Sequence, residues 1–152
     1  MSTVAMTALD FAVRRHLLDT FASGATPTRA SVMQALELDD AQASASYASL
    51  AAAHVIVLDP ATGEVWMAMP FSAVPTAFPV VIGQRSVWAT CAWDAFGIAA
   101  ALDQDVTFAT PCPASNAVIA GGVRRGVPYA HPGAVAYVGV PAARWWDDIG
   151  FT

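Results

Sequence analysis

A thiol and a carboxyl, Cys91 and Asp94, stand three residues apart in the apolar run Ser86-Val-Trp-Ala-Thr-Cys-Ala-Trp-Asp-Ala-Phe96. On a helix, positions i and i+3 share a face, so both groups would address one small volume. A thiolate is a nucleophile and a ligand for soft metals. A carboxyl withdrawn from water tends to keep its proton and can act as an acid. The pattern points to thiolate-plus-acid chemistry, in which Cys91 attacks or ligates a small molecule and Asp94 protonates what leaves. Trp88, Trp93 and Phe96 of the same run, with Trp145 near the other end of the chain, are the candidate apolar lining for that substrate.

Each group also has a plainer role open to it. Most free cysteines are small buried hydrophobes, and Arg85 could pair with Asp94 as a structural ion pair. A carboxylate among Trp88, Trp93 and Phe96 is costly to bury without a partner or a task. Cys112, between Pro111 and Pro113, reads as packed in a stiff turn, and only the fold decides whether it meets Cys91. His16, His54 and His131 are scattered without metal-ligand spacing, so zinc is not expected. No cofactor is expected either. His131 lies on a predicted loop, from which it could reach the site as a proton carrier, although solvated surface is the more common fate. Trp145-Trp146-Asp147-Asp148 would line a pocket, or else pack one ring on the sheet and cap a helix.

The elements that must position these groups follow from periodicity. Apolar residues at 9, 12, 13, 17 and 21 predict an amphipathic helix. Thr28 is a cap for a short helix through Leu36, and Asp39 or Asp40 caps a third helix to about residue 53. Segments 54–58 and 64–69 read as strands joined by the turn sequence Asp59-Pro-Ala-Thr-Gly63. Three helices followed by a hairpin is the winged-helix order. Three prolines in 70–79 read as a linker. Beyond it come a short strand at 80–82, a helix over 88–102 and strands at 106–109, 117–120 and 134–140, with Gly121-Gly122 ending the second. The expected fold is α+β: a winged-helix-like module over 1–70, a linker over 71–79, and a small mixed sheet over 80–152 with a helix carrying Cys91 and Asp94.

Bulk properties narrow the function classes. The 152 residues are 56% hydrophobic and 12% charged, enough for a well-filled core. The net charge is −5, and all seven cations are Arg. Nucleic-acid binding needs clustered cations to displace phosphate counterions. The predicted recognition helix at 41–50 has none, so no nucleic-acid partner is expected. No apolar run reaches the length of a bilayer span and no export signal opens the chain, so a cytoplasmic protein with free thiols is expected.

The second half resembles the organomercurial (alkylmercury) lyase family. The stretches that carry the resemblance are Trp88-Ala-Thr-Cys-Ala-Trp-Asp94, Val106-Thr-Phe-Ala-Thr-Pro-Cys-Pro-Ala-Ser115 and Val140-Pro-Ala-Ala-Arg-Trp-Trp-Asp-Asp-Ile149. The resemblance implies that Cys91 binds mercury as thiolate and that Asp94 delivers the proton releasing the organic group. It implies a structural role for Cys112. The family also uses a second mercury-binding Cys in a later strand, and this sequence is expected to be a short member without that segment. Linear two-coordinate mercury is held best by two sulfurs, so one thiolate captures it more weakly. A repurposed member carrying out elimination or substitution on a small metabolite is therefore an equal expectation, with a non-catalytic metal-binding or regulatory subunit as the alternative. Missing closing strands would leave a sheet edge and an apolar face open. A partner is therefore expected, as a homo-oligomer or a heteromer with a second subunit.

Overall fold

Residues 5–150 are described by the computed structural model. Helix α1 (Ala8–Ala22) starts at a reciprocal cap: Thr7 Oγ1 accepts from the Asp10 amide at 3.1 Å, and Asp10 accepts from the Thr7 amide at 2.8 Å. Its apolar face buries Val13, Leu17 and Phe21. Thr28 caps α2 (Arg29–Leu36) and Asp39 caps α3 (Asp40–Ala52), as the polar residues at those positions predict. Asp10 also bridges two helices: its buried carboxylate accepts from Ser46 at 2.7 Å and Ser49 at 3.0 Å, both on α3. Burial alone would raise this carboxyl, but the hydrogen bonds from Thr7, Ser46 and Ser49 outweigh it and hold Asp10 below its usual range.

Eight strands form one sheet: β1 (Val57–Leu58), β2 (Val65–Ala68), β3 (Phe71–Ser72), β4 (Pro79–Ile82), β5 (Arg85–Ala89), β6 (Val106–Pro111), β7 (Val118–Arg124) and β8 (Val127–Ala130). Their order is β1-β2-β3-β5-β4-β6-β7-β8. The fold is α+β, but the sheet is antiparallel at every pairing rather than mixed. The reason lies in the connections: α4 (Ala92–Leu102) joins β5 to β6, which run the same way, and β4 inserts between them. The proline-rich stretch contributes β3, whose Phe71 is buried and stacks on Phe21 of α1 with ring centroids 5.8 Å apart. Helix α4 buries Ala95, Ile98 and Ala99 in the same apolar cluster as Val80, Val106 and Phe108 of the sheet.

Three further expectations are corrected. The helix expected over 88–102 begins only at Ala92, because 85–89 is strand β5, hydrogen-bonded to both β3 and β4. Gly121-Gly122 does not end a strand; β7 runs through both, and the missing side chains let it close on β6. A Cβ on Gly122 would lie 2.2 Å from the Val106 carbonyl, and one on Gly121 would lie 2.6 Å from the Phe108 ring. Residues 134–140 form no strand, and Val135, Tyr137 and Val138 are exposed there.

After β8 the chain turns back toward the other edge of the sheet. A 3₁₀ turn at Ala142–Asp147 brings Trp146 onto His54, with rings stacked 3.9 Å apart and 10° from parallel. Gly150 runs against the Trp66 ring of β2, so close that a Cβ would lie 2.7 Å from it. Among the described residues, no helix is long and apolar enough to cross a membrane.

Candidate active site

The end of β5 is pinned before it releases the two candidate groups. The Ala89 amide donates to the Phe78 carbonyl at 3.0 Å, the Ala89 carbonyl accepts from Thr76 Oγ1 at 2.7 Å, and the Thr90 amide donates to the Pro70 carbonyl at 3.2 Å. Cys91 follows in extended conformation as the N-cap of α4, and its carbonyl accepts the first helical bond, from Ala95 at 3.1 Å. Asp94 stands in the first turn, where a negative charge is favoured by the helix dipole.

The thiol and the carboxyl do meet, though by a different route from a shared helix face. Cys91 is the extended N-cap residue of α4 and has Asp94, in the first turn, as its electrostatic neighbour. Burial pushes the Cys91 thiol up. The amides of Asp94 and Trp93 oppose this by favouring a thiolate at the helix start, and the charge and hydrogen bonding of the Asp94 carboxyl push it up again. The Cys91 sulfur accepts no cap hydrogen bond from those amides, so they lie within electrostatic reach without being fully aligned.

Asp94 has a partner that the sequence did not single out. Thr90 Oγ1 donates to Asp94 Oδ2, closing a Thr90–Cys91–Asp94 loop around the helix start. The other oxygen, Oδ1, lies near Gly97: a Cβ there would sit 3.7 Å from it and 3.8 Å from the Pro70 side chain. Arg85, the expected ion partner, is engaged elsewhere: it donates to the Ala22 carbonyl at 2.8 Å and to Gln104 Oε1 at 3.1 Å. A Thr four residues before an Asp at a strand-to-helix junction is the signal that would have found Thr90.

The aromatic candidates are not gathered around this pair. Phe96 is half-buried and meets Phe108 edge-to-face at 5.0 Å. Trp88 lines a separate cleft of about 100 Å³ with Phe21, Thr26, Ser72 and Val87. Trp93 is 77% exposed. Trp145 donates its indole N–H to the Val140 carbonyl at 2.7 Å, within the returning C-terminal segment.

Both cysteines are free. Trp88 lies opposite Pro79 and Val80 lies opposite Phe108, so the ends of β5 and β6 share one end of the sheet. With the lead-in to β4 between them, the backbones before Cys91 and Cys112 are two strand spacings apart, about 10 Å. Cys112 lines a different cleft, of about 240 Å³, with Ser115 and His131. Among the described residues no group of three or more His, Cys, Asp or Glu is placed to hold a metal ion.

An antiparallel sheet thus delivers a cap cysteine and a first-turn carboxylate, three residues apart, to the start of α4. The alkylmercury lyase family model matches residues 71–152, more than half of the sequence, and the chain belongs to that family. No curated protein matches it. Among solved structures it is similar to one described as "Crystal structure of the mercury-bound form of MerB2", with a TM-score of 0.70 and 21% identity. That likeness covers 84% of this chain and 62% of the other, so this chain spans less than two thirds of its length. At this identity the likeness is one of fold.

Proposed function

We propose that the chain performs alkylmercury-lyase-type protonolysis of a bond between carbon and a soft metal, with Cys91 as metal ligand and Asp94 as acid. The observation that carries this reading is the Cys91 sulfur held beside the Asp94 carboxyl at the start of α4. Membership of the family supports it. Cys91 loses its thiol proton as sulfur binds the mercury of an organomercurial cation. The neighbouring Asp94 carboxylate is the nearest base for that proton. Asp94 then gives the proton to carbon as the carbon–mercury bond breaks, so the hydrocarbon leaves and mercury(II) stays on sulfur. Thr90, donating to Oδ2, leaves Oδ1 to carry the proton and so acts as a positioning residue.

The test is release of benzene from a phenylmercury salt in the presence of excess small thiol. Release by the wild-type protein and its loss in a folded Cys91→Ser variant are expected; equal release by both rejects the assignment.

A second reading keeps the fold and drops the chemistry: a non-catalytic or regulatory metal-binding subunit that pairs with another chain. It is favoured by exposed Val118, Val127, Val135 and Tyr137 in and beyond β7 and β8. Both readings take residues 1–70 as a winged-helix-like module, joined through 71–79 to the core at 80–152. Sedimentation separates them: the subunit reading requires a stable oligomer, and the lyase reading does not.

A further inference from the structure

Asp94 presents its two carboxylate oxygens to different surroundings. Oδ2 accepts from Thr90 Oγ1, and the Thr90 amide is in turn tied to the Pro70 carbonyl at 3.2 Å. Oδ1 is left near Gly97, three residues further along α4. A Cβ on Gly97 would touch two atoms, Asp94 Oδ1 at 3.7 Å and Pro70 Cβ at 3.8 Å. Beyond the helix backbone and the adjacent residues, no other atom of the described residues lies within 4 Å of that point. Pro70, Cys91, Asp94 and Gly97 are all half-buried, so solvent reaches each of them.

Both distances are ordinary van der Waals contacts, so the missing side chain leaves a seat one methyl group across. An acid oxygen forms one wall and an aliphatic ring the other. Nothing in the fold requires glycine there. Its φ is not positive and no atom crowds the position, in contrast to Gly121 and Gly122. Glycine inside a helix is less stable than alanine, so α4 is weakened at Gly97 without any gain in packing.

We propose that Gly97 is a specificity-determining residue: the seat between Asp94 Oδ1 and Pro70 takes the carbon bonded to mercury, and it fits a methyl or other unbranched alkyl group. The inference rests on the lyase reading above. Proton transfer needs reacting atoms about 3–3.5 Å apart, and a carbon in this seat reaches that range by a small shift. The electron pair of the carbon–mercury bond then takes the proton from Oδ1. The alkane leaves, mercury(II) stays on the Cys91 sulfur, and Asp94 remains as carboxylate.

The experiment compares methane release from methylmercury, in excess small thiol, by the full chain and its Gly97→Ala variant, both carrying Cys112→Ser. The variant keeps Cys91 and Asp94, and it is expected to fold and to capture mercury as the parent does. Its methane release is expected to fall about a hundredfold, as misplacement by about 1 Å does. The pH profile of Cys91 alkylation, which senses the Asp94 charge, is expected to stay unchanged. Equal methane release by the two proteins overturns the proposal. A slower variant whose alkylation profile has moved also overturns it, because alanine then acts on Asp94 rather than on the substrate. No release from the parent rejects the lyase reading and this one with it, whereas release that ignores Gly97 rejects this one alone.

Discussion

Cys91 is governed by two opposed influences, and their balance can be measured through pH. Burial disfavours its thiolate, and the charge of Asp94 disfavours it further, so the folded thiol titrates above its ordinary value. The fold therefore favours the protonated form. That contribution is present below the thiol's unfolded value and is lost as pH rises through the higher folded one. Alkylation of Cys91 by iodoacetamide should keep rising at pH values where an ordinary thiol has levelled off. Asp94→Asn removes a charge that opposes the thiolate, so the alkylation profile should move to lower pH; an unchanged profile would show that the two groups are uncoupled. Cys112 behaves oppositely, because the Ser115 hydroxyl favours its thiolate, and it should be alkylated before Cys91 at neutral pH. The pairing of Cys91 with Asp94 was legible because three-residue spacing brings two groups together at a helix start as well as within a helix. The burial of Asp10 was not, since its partners Ser46 and Ser49 lie 36 and 39 residues away.

Helix α4 and strands β6 and β7 hold the candidate site in place, and two glycines should respond in opposite ways. A Cβ at Gly97 would make ordinary contacts, 3.7 Å from Asp94 Oδ1 and 3.8 Å from Pro70. Gly97→Ala should therefore stabilise the protein by about 0.5–1 kcal/mol through helix propensity. Gly122→Ala drives a methyl into the Val106 carbonyl and should cost about 1–3 kcal/mol by parting β6 from β7. Urea midpoints of the two variants check both signs. The caps of α2 and α3 could be read from the sequence because Thr28 and Asp39 act within three residues of themselves. The boundary between β5 and α4 could not, since Val87, Trp88 and Ala89 form a short apolar run that fits either element. Pairing with β3 and β4 decides it. The open edge expected to attract a partner is also blunted: inward pairing of His131 leaves positions 128, 130 and 132 facing out, and two of these are proline.

At the scale of the molecule, the C-terminal segment ties one edge of the sheet to the other. Trp146 on His54 and Gly150 on Trp66 join residues about 90 positions apart in sequence, contacts that no local pattern announces. Trp146→Ala should cost about 1 kcal/mol and lower the melting temperature by roughly 2–4 °C. An unchanged melting temperature would mean that the returning segment is not part of the cooperative fold. The central claim, that Cys91 captures the metal and Asp94 supplies the proton, is tested most directly by separating capture from cleavage. Bound mercury and released benzene are to be measured together after mixing phenylmercury with the wild type, Cys91→Ser and Asp94→Asn, each on a Cys112→Ser background. The account predicts capture and release for the first, neither for the second, and capture without release for the third. Undiminished benzene release from a folded Asp94→Asn protein would contradict it.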